Sequence, residues 1–294
     1  MRDLRGSVRT TVPLLALLLS GCSGVLNPRG PIGNADRTIL LDCVLVMLVI
    51  VVPTIVATLA FAWWFRASNA RAKRHLGFVY SGQIELLVWS VPVLVVLLLA
   101  GVTWIGTHEL DPAKPLTSSA KPLEVQVVSL DWKWLFIYPG QGVASVNDLT
   151  IPAGVPVHFS LTSASVMNAF FVPQLGSMIY TMSGMVTQLN LRADRPGDFW
   201  GQSSHFSGDG FAGMHFEVHA VTADQFTGWI SRAKQTGSML DTGSYAVLAR
   251  QSLNVRPLIY SSVQPTLFHD ITTLKLSPGP GPGPANAASS GTGY

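Results

Sequence analysis

Four positions in the segment SSHFSGDGFAGM, Ser203, Ser207, Phe211 and Met214, are spaced as the side-chain ligands of a thiolate-bridged copper pair would be. Such a pair needs two cysteines to hold and electronically couple the metals, with imidazole and thioether ligands completing each ion. Here serines occupy the thiolate positions and a phenyl ring occupies an imidazole position. A serine hydroxyl is a hard oxygen that stays protonated at neutral pH, and the phenyl ring has no lone pair to donate. Met214 alone keeps a donor for soft copper. The loop reads as a metal site emptied of its ligands.

Other clusters offer little chemistry. The two cysteines are Cys22 and Cys43, so no residue after 43 can form a disulfide or a cysteinyl metal site. His215, Glu217 and His219 alternate with Met214, Phe216 and Val218, which puts the apolar set on a buried strand face and the polar set on a solvated one. Three ligands on one exposed strand would lack an outer shell of supporting hydrogen bonds, so a wet strand face explains them better than a metal. His158 and His205 read as hydrogen-bonded or surface histidines. No Gly-rich phosphate loop or basic-aromatic patch supports nucleotide or nucleic-acid binding.

The elements that must position the loop begin in a membrane. The 294-residue chain is 48% hydrophobic and only 12% charged, which fits one globular domain carried on membrane spans. Arg2, Arg5 and Arg9, the apolar run Val12 to Leu19, and Leu19-Ser20-Gly21-Cys22 read as a lipoprotein signal over 1–21, with lipidation (palmitate) of Cys22 after cleavage. A short outer segment, 22–38, follows. Apolar stretches over 39–65 and 84–107 are each long enough to cross about 30 Å of hydrocarbon as a helix. The connecting loop, 66–83, holds Arg66, Arg71, Lys73, Arg74 and His75 with no acidic residue, so the positive-inside rule puts it in the cytoplasm and both termini outside. Trp63, Trp64 and Phe65 suit one interface and Trp104 the other. Pro53 and Pro92 bend their spans, and with Asp42 and Glu85 they favour burial against a larger membrane subunit.

After a linker over 108–122, strand-like runs at Glu124 to Ser129, Trp132 to Tyr138, Leu149 to Ile151, Val155 to Thr162, Met185 to Leu191 and Gly213 to Ala220 predict an antiparallel sandwich over 123–221. Thr222 to Gln225 fits a capping box opening a short amphipathic helix, and Ser244 to Ser252 predicts another, within a helical extension over 222–276. The tail 277–294 lacks the apolar residues that would offset ordering and is expected to be disordered.

Three segments then carry a resemblance over nearly the whole chain after the signal: Ile84-Glu85-Leu86-Leu87-Val88-Trp89-Ser90-Val91-Pro92, Asp131-Trp132-Lys133-Trp134, and Asn168 to Pro173 followed by Leu175-Gly176. Together with the order of lipobox, two spans and β-sandwich, they resemble subunit II of the haem-copper respiratory oxidases. The segments LDWKWLFIYP and LGSMIYTMSGM, and extra C-terminal helices ending near Tyr260 to Pro265, are similar to the quinol oxidase branch of the bo type. The fold implied is a two-helix transmembrane hairpin followed by an all-β cupredoxin-like sandwich without copper, with short C-terminal helices.

Under that resemblance the family's six copper-binding positions fall on Asn168, Ser203, His205, Ser207, Phe211 and Met214, with His205 standing where a glutamate binds through its backbone. The implied assembly oxidises ubiquinol, reduces oxygen to water and pumps protons in the bacterial inner membrane. Haems and catalytic copper would sit in subunit I, further small membrane subunits would complete the complex, and this chain would bind no cofactor. Glu85 would collect protons for a channel in subunit I, although a carboxylate at a helix N-terminus is also stabilised by the helix dipole alone. Trp132 and Trp134 match an aromatic patch that, without copper, serves packing. Phe211 and Met214 are expected to fill the vacated volume. A copper-bearing cytochrome c oxidase subunit II fails for want of cysteines. A scaffold lipoprotein unconnected with respiration would leave the three matching segments unexplained.

Overall fold

The computed structural model describes residues 24–73 and 77–281, so Cys22, Arg74, His75 and the tail beyond 281 lie outside the described residues. These residues form two compact units, one of residues 37–111 and the other of the remainder.

The first unit is helical. Helix α1 runs Pro31–Trp64 and α2 runs Gly82–Glu109, both long and apolar enough to cross a membrane. Each continues past the apolar stretch that marks it in the sequence. Helix α1 starts eight residues before Ile39 because Pro31 has the fixed φ that suits a first helical position and needs no N–H partner there. The two helices touch closely at Gly106, where an added Cβ would lie 2.8 Å from Ile39 Cδ1. Glu85 is exposed in the first turn of α2 and Asp42 is exposed on α1.

The second unit is built on thirteen strands among the described residues. They are β1 (Leu123–Leu130), β2 (Lys133–Tyr138), β3 (Val143–Val146), β4 (Asp148–Pro152), β5 (Val157–Ser163), β6 (Asn168–Phe171), β7 (Ile179–Thr181), β8 (Thr187–Leu191), β9 (Gly197–Ser203), β10 (His215–Val221), β11 (Met239–Leu240), β12 (Leu258–Tyr260) and β13 (Ser262–Val263). One sheet has the order β12-β3-β2-β1-β5-β8, the other β4-β10-β9-β6-β7, and β11 pairs with β13. The expected all-antiparallel sandwich is corrected here. Strand β1 pairs parallel with β5, and β10 pairs parallel with β4. In both cases the chain leaves one sheet, crosses the other, and returns alongside its earlier strand, a route that local alternation does not reveal.

Between the sheets lies an aromatic core. Phe170 stacks on Phe216 with ring centroids 5.1 Å apart, and the edge of Trp134 meets Phe170 at 5.4 Å. Such pairs add about 0.5–1.5 kcal/mol beyond area burial. The six-stranded sheet is also covered on its outer face. Val128, Leu130, Leu135, Ile137, Ala144 and Val146 form a second core with residues of the C-terminal extension. That extension contains α3 (Ala223–Gln235), α4 (Thr242–Leu248) and α5 (Leu267–Thr272). Covered on both faces, every residue of β2 is buried, which is why KWLFIY reads as a nearly continuous apolar run.

The Thr222–Gln225 capping box is present, and Asp241 with Ser244 forms a second one at α4. Two features of the extension depart from expectation. Tyr260 to Val263 forms β12 and β13 rather than ending a helix, and α5 follows it. Residues 277–281 are tied down: Gly279 N donates to Ala164 O at 2.7 Å and Gly281 N to Asp131 Oδ2 at 3.1 Å. Glycine has no side chain to bury and the short proline rings offer little, but the glycine backbone found partners on the sandwich.

Residues 24–36 also belong to this unit. Arg29 N donates to Gln174 O at 2.7 Å, Asp194 N to Arg29 O at 2.8 Å, and Ser177 Oγ to Asp36 Oδ2 at 3.1 Å. The segment before the first span is therefore stitched to the sandwich.

Candidate functional site

Strand β6 supplies Asn168, β9 ends at Ser203, and a 3-10 turn over Phe211–Gly213 leads the loop back to Met214 and β10. The pairing of Phe170 with Ser203 sets β6 beside β9, and Ser203 N donates to Met214 O at 3.1 Å, closing the loop at its base. Ser203 Oγ lies 3.2 Å from Asn168 Oδ1 and 3.3 Å from His205 O, so its one proton is shared between those acceptors. Ser207 Oγ donates to Met214 Sδ at 3.9 Å. Met214 N donates to Phe211 O at 3.0 Å. The six positions named from the sequence thus form one set connected by hydrogen bonds.

Asn168, Ser203, Ser207 and Met214 are buried. Phe211 is not. It is half-buried and meets the edge of exposed Phe206 at 5.6 Å, so Met214 alone of the two fills core volume. This corrects the expectation that both plug the vacated space. Phe211 opens the 3-10 turn, none of whose residues is buried. His205 is half-buried and meets Tyr180 edge-on at 5.9 Å.

A dinuclear copper centre does not fit these residues. Two hydroxyls, an amide and a phenyl ring are poor donors for soft copper, and both hydroxyls are already engaged in internal hydrogen bonds. Among the described residues there is no group of three or more His, Cys, Asp or Glu that could hold a metal.

The Asp131-Trp132-Lys133 turn supports the loop in a way the sequence did not disclose. Leu130 pairs with Lys133, leaving Asp131 and Trp132 as a two-residue hairpin connection in which Trp132 takes φ +64°. That conformation costs a bulky residue of order 1–3 kcal/mol. Its Nε1 donates to Ser207 O at 2.9 Å, and its ring packs against Gly210, where an added Cβ would fall 2.3 Å from Trp132 Cγ and 2.6 Å from Leu253 Cδ2. Lys133 is buried, and its Nζ donates to Arg250 O at 2.6 Å and to Ser252 Oγ. Burial pushes the Lys133 amine down to about 8, with Asp131 acting in the opposite direction. Asp131 accepts from Ser165 Oγ and from Gly281 N. Asn147 Nδ2 donates to Val255 O at 2.8 Å. Residues 250–255 and 277–281 thus form an arm held on the hairpin that holds the loop. The one sequence signal was a lysine and an aspartate beside two tryptophans.

The other candidates lie apart from this set. His158 bonds Asn190 Oδ1 at 3.0 Å. His215 stacks on Trp200 at 4.3 Å, while His219 meets Asp198 at 2.6 Å, Glu217 at 3.4 Å and Asp148 at 3.9 Å. Burial opposes charge on His219, but the bond to Asp198 and the charges of Asp148, Asp198 and Glu217 outweigh it and raise its pKa. The polar strand face is solvent-exposed, as expected, and His219 on it is also paired with its acidic neighbours.

Comparison with known proteins adds an independent line. Residues 125–221 match the family described as cytochrome c oxidase subunit II, periplasmic domain, and residues 234–274 match the COX aromatic rich motif. The chain is 49% identical over 259 residues to the cytochrome bo(3) ubiquinol oxidase subunit 2 of Pseudomonas aeruginosa, covering 88% of this chain and 78% of that protein. It is 48% identical over 260 residues to the ubiquinol oxidase subunit 2 of Acetobacter aceti, covering 87% and 84%. Against the quinol oxidase subunit 2 of Bacillus anthracis it is 37% identical over 235 residues, covering 79% and 81%.

Proposed function

Since the chain belongs to the ubiquinol oxidase subunit 2 family, we propose that it works as subunit II of an inner-membrane oxidase that oxidises ubiquinol, reduces oxygen to water and pumps protons. The haems and catalytic copper reside in partner subunit I, and this chain carries no redox centre. The observation that carries this reading is the donor set of Asn168, Ser203, His205, Ser207, Phe211 and Met214, in which hydrogen bonds replace coordination.

Losing copper and changing donor go together. A soluble cytochrome delivers electrons from outside the membrane and needs a relay in the outer domain, whereas ubiquinol arrives within the bilayer and can reduce haem directly. The sandwich is then left to cap and brace the complex from the periplasmic side. Glu85, exposed in the first turn of α2, collects protons at the cytoplasmic surface for subunit I. Cys22 carries a lipid that adds a third attachment to the bilayer.

The test is purification of the whole complex, followed by haem spectra, copper counting and turnover with ubiquinol and with reduced cytochrome c. The expected result is turnover with ubiquinol alone and no copper beyond that of subunit I. A near-infrared copper-pair band, or faster turnover with cytochrome c, would refute the reading. Glu85→Gln is expected to slow oxygen consumption, and mass spectrometry is expected to find residue 22 acylated.

A further inference from the structure

At the end of α1 the chain builds a surface to which the proposed function assigns no role. Ala57 and Ala60 leave an open groove of ≈ 560 Å³ along the helix, walled by Phe61, Trp63, Trp64 and Phe65. Arg66 folds back toward it. Its guanidinium carbon lies 4.8 Å from the Trp63 ring centroid, its Nη1 donates to Trp63 O at 3.0 Å, and its Nε donates to Ser68 Oγ at 3.1 Å. The turn beyond is fixed as well: Asn69 Nδ2 donates to Trp64 O at 2.7 Å and Asn69 Oδ1 accepts from Arg71 N at 3.1 Å.

These bonds hold a cation at the mouth of an apolar groove, with Arg71 and Lys73 following on the same short turn. No acidic residue occurs between Asp42 and Glu85, and among the described residues none of the ion pairs engages Arg66, Arg71 or Lys73. Topology accounts for the sign of this loop, and capping of the last helical carbonyls accounts for one Arg66 bond. Neither accounts for a ring-stacked guanidinium beside a groove walled by aromatic rings and floored by alanine.

We propose that this surface is a binding site for an anionic phospholipid. An acyl chain lies along Ala57, Ala60 and Phe61, and the phosphate is held by Arg66 with Arg71 and Lys73, as basic clusters beside a membrane span hold acidic headgroups. Stacking on Trp63 keeps Arg66 at headgroup depth while its remaining N–H donors face the phosphate. The proposal rests on α1 spanning a bilayer and not on the identity of the electron donor, so the two readings fail separately.

Native mass spectrometry of the intact, delipidated complex, titrated with phosphatidylglycerol or phosphatidylcholine, tests it. The wild type is expected to retain phosphatidylglycerol in preference to phosphatidylcholine. Each of Arg66→Gln and Arg71→Gln should lower that preference about fivefold, and the double variant about 25-fold. Lys114→Gln with Lys121→Gln, in the linker before the sandwich, should leave it unchanged. Lack of any headgroup preference in the wild type overturns the proposal, and that measurement needs no variant to assemble. So does an unchanged preference in the single variants, the result expected if a partner helix fills the groove. An equal loss in the linker variant also overturns it, since it would mark a diffuse charge effect.

Discussion

Replacing Met214 by leucine separates a core side chain from a metal ligand. Met214 is 1% exposed, and its side chain receives one weak hydrogen bond, from Ser207 Oγ at 3.9 Å. Leucine preserves the volume, and such swaps usually cost less than about 1.5 kcal/mol. The Ser207 hydroxyl, on a residue 5% exposed, loses its acceptor. A buried unpaired hydroxyl costs about 1–3 kcal/mol, and the low end applies because a thioether is a weak acceptor. The net expectation for Met214→Leu is a loss of about 1 kcal/mol, whereas Met214→Ala opens a cavity and should lose about 2–5 kcal/mol. At about 2–4 °C per kcal/mol, the melting temperature falls by about 2–4 °C for leucine and by roughly 4–20 °C for alanine. The assay pairs thermal unfolding of the purified complex with ubiquinol turnover well below the transition. Stability is expected to move in the order wild type, leucine, alanine, while turnover per haem stays within about twofold, equivalent to about 0.4 kcal/mol in barrier. A leucine variant that assembles with its haems and melts near wild type, yet turns over tenfold more slowly, would refute the argument. That is the pattern of a lost ligand.

Two further outcomes follow from the supporting turn. Lys133 has a folded pKa of about 8 against an ordinary 10.5, so between those pH values the unfolded chain binds more protons and stability rises with pH. Below pH 8 both states are charged and the full cost of burying the ammonium remains. With some solvent screening, the rise amounts to about 2 kcal/mol, and it should be missing from Lys133→Met when the melting temperatures of both proteins are compared at pH 8 and pH 10. Gly210→Ala places a methyl group 2.3 Å from the Trp132 ring, and overpacking should cost about 1–3 kcal/mol. Unchanged thermal stability would show that Trp132 and Leu253 can move aside.

Much of this was legible locally. Two long apolar helices, found at 31–64 and 82–109, the Thr222 capping box, and the burial of Met214, Phe216 and Val218 all follow from hydropathy, periodicity or side-chain chemistry within a few residues. The missed elements share a different property. Strand β3, at Val143–Val146, and the short β6 and β7 lack an extended alternating pattern and exist because neighbours pair with them. The parallel β1–β5 and β4–β10 ladders depend on crossings between the sheets. Lys133 is the sharpest case. A lysine in a strand ordinarily points to water, and this one is buried by residues more than a hundred positions later in the chain.

The sequence by itself determined that this loop lacks the ligands of a thiolate-bridged copper pair, because donor chemistry is a property of residue type: no cysteine follows Cys43, and neither Ser203, Ser207 nor Phe211 can replace a thiolate or an imidazole. It also determined the two apolar spans, since hydropathy needs no tertiary partner. Only the tertiary structure decided how these side chains are engaged instead. Hydrogen bonds from Ser203 to Asn168 and from Ser207 to Met214, and the Trp132 bond that steadies the loop, join residues 35, 7 and 75 positions apart. Their geometry is set by sheet pairing and by the C-terminal arm. Spacing along a chain identifies which side chains are available, but burial and distance fix which of them meet.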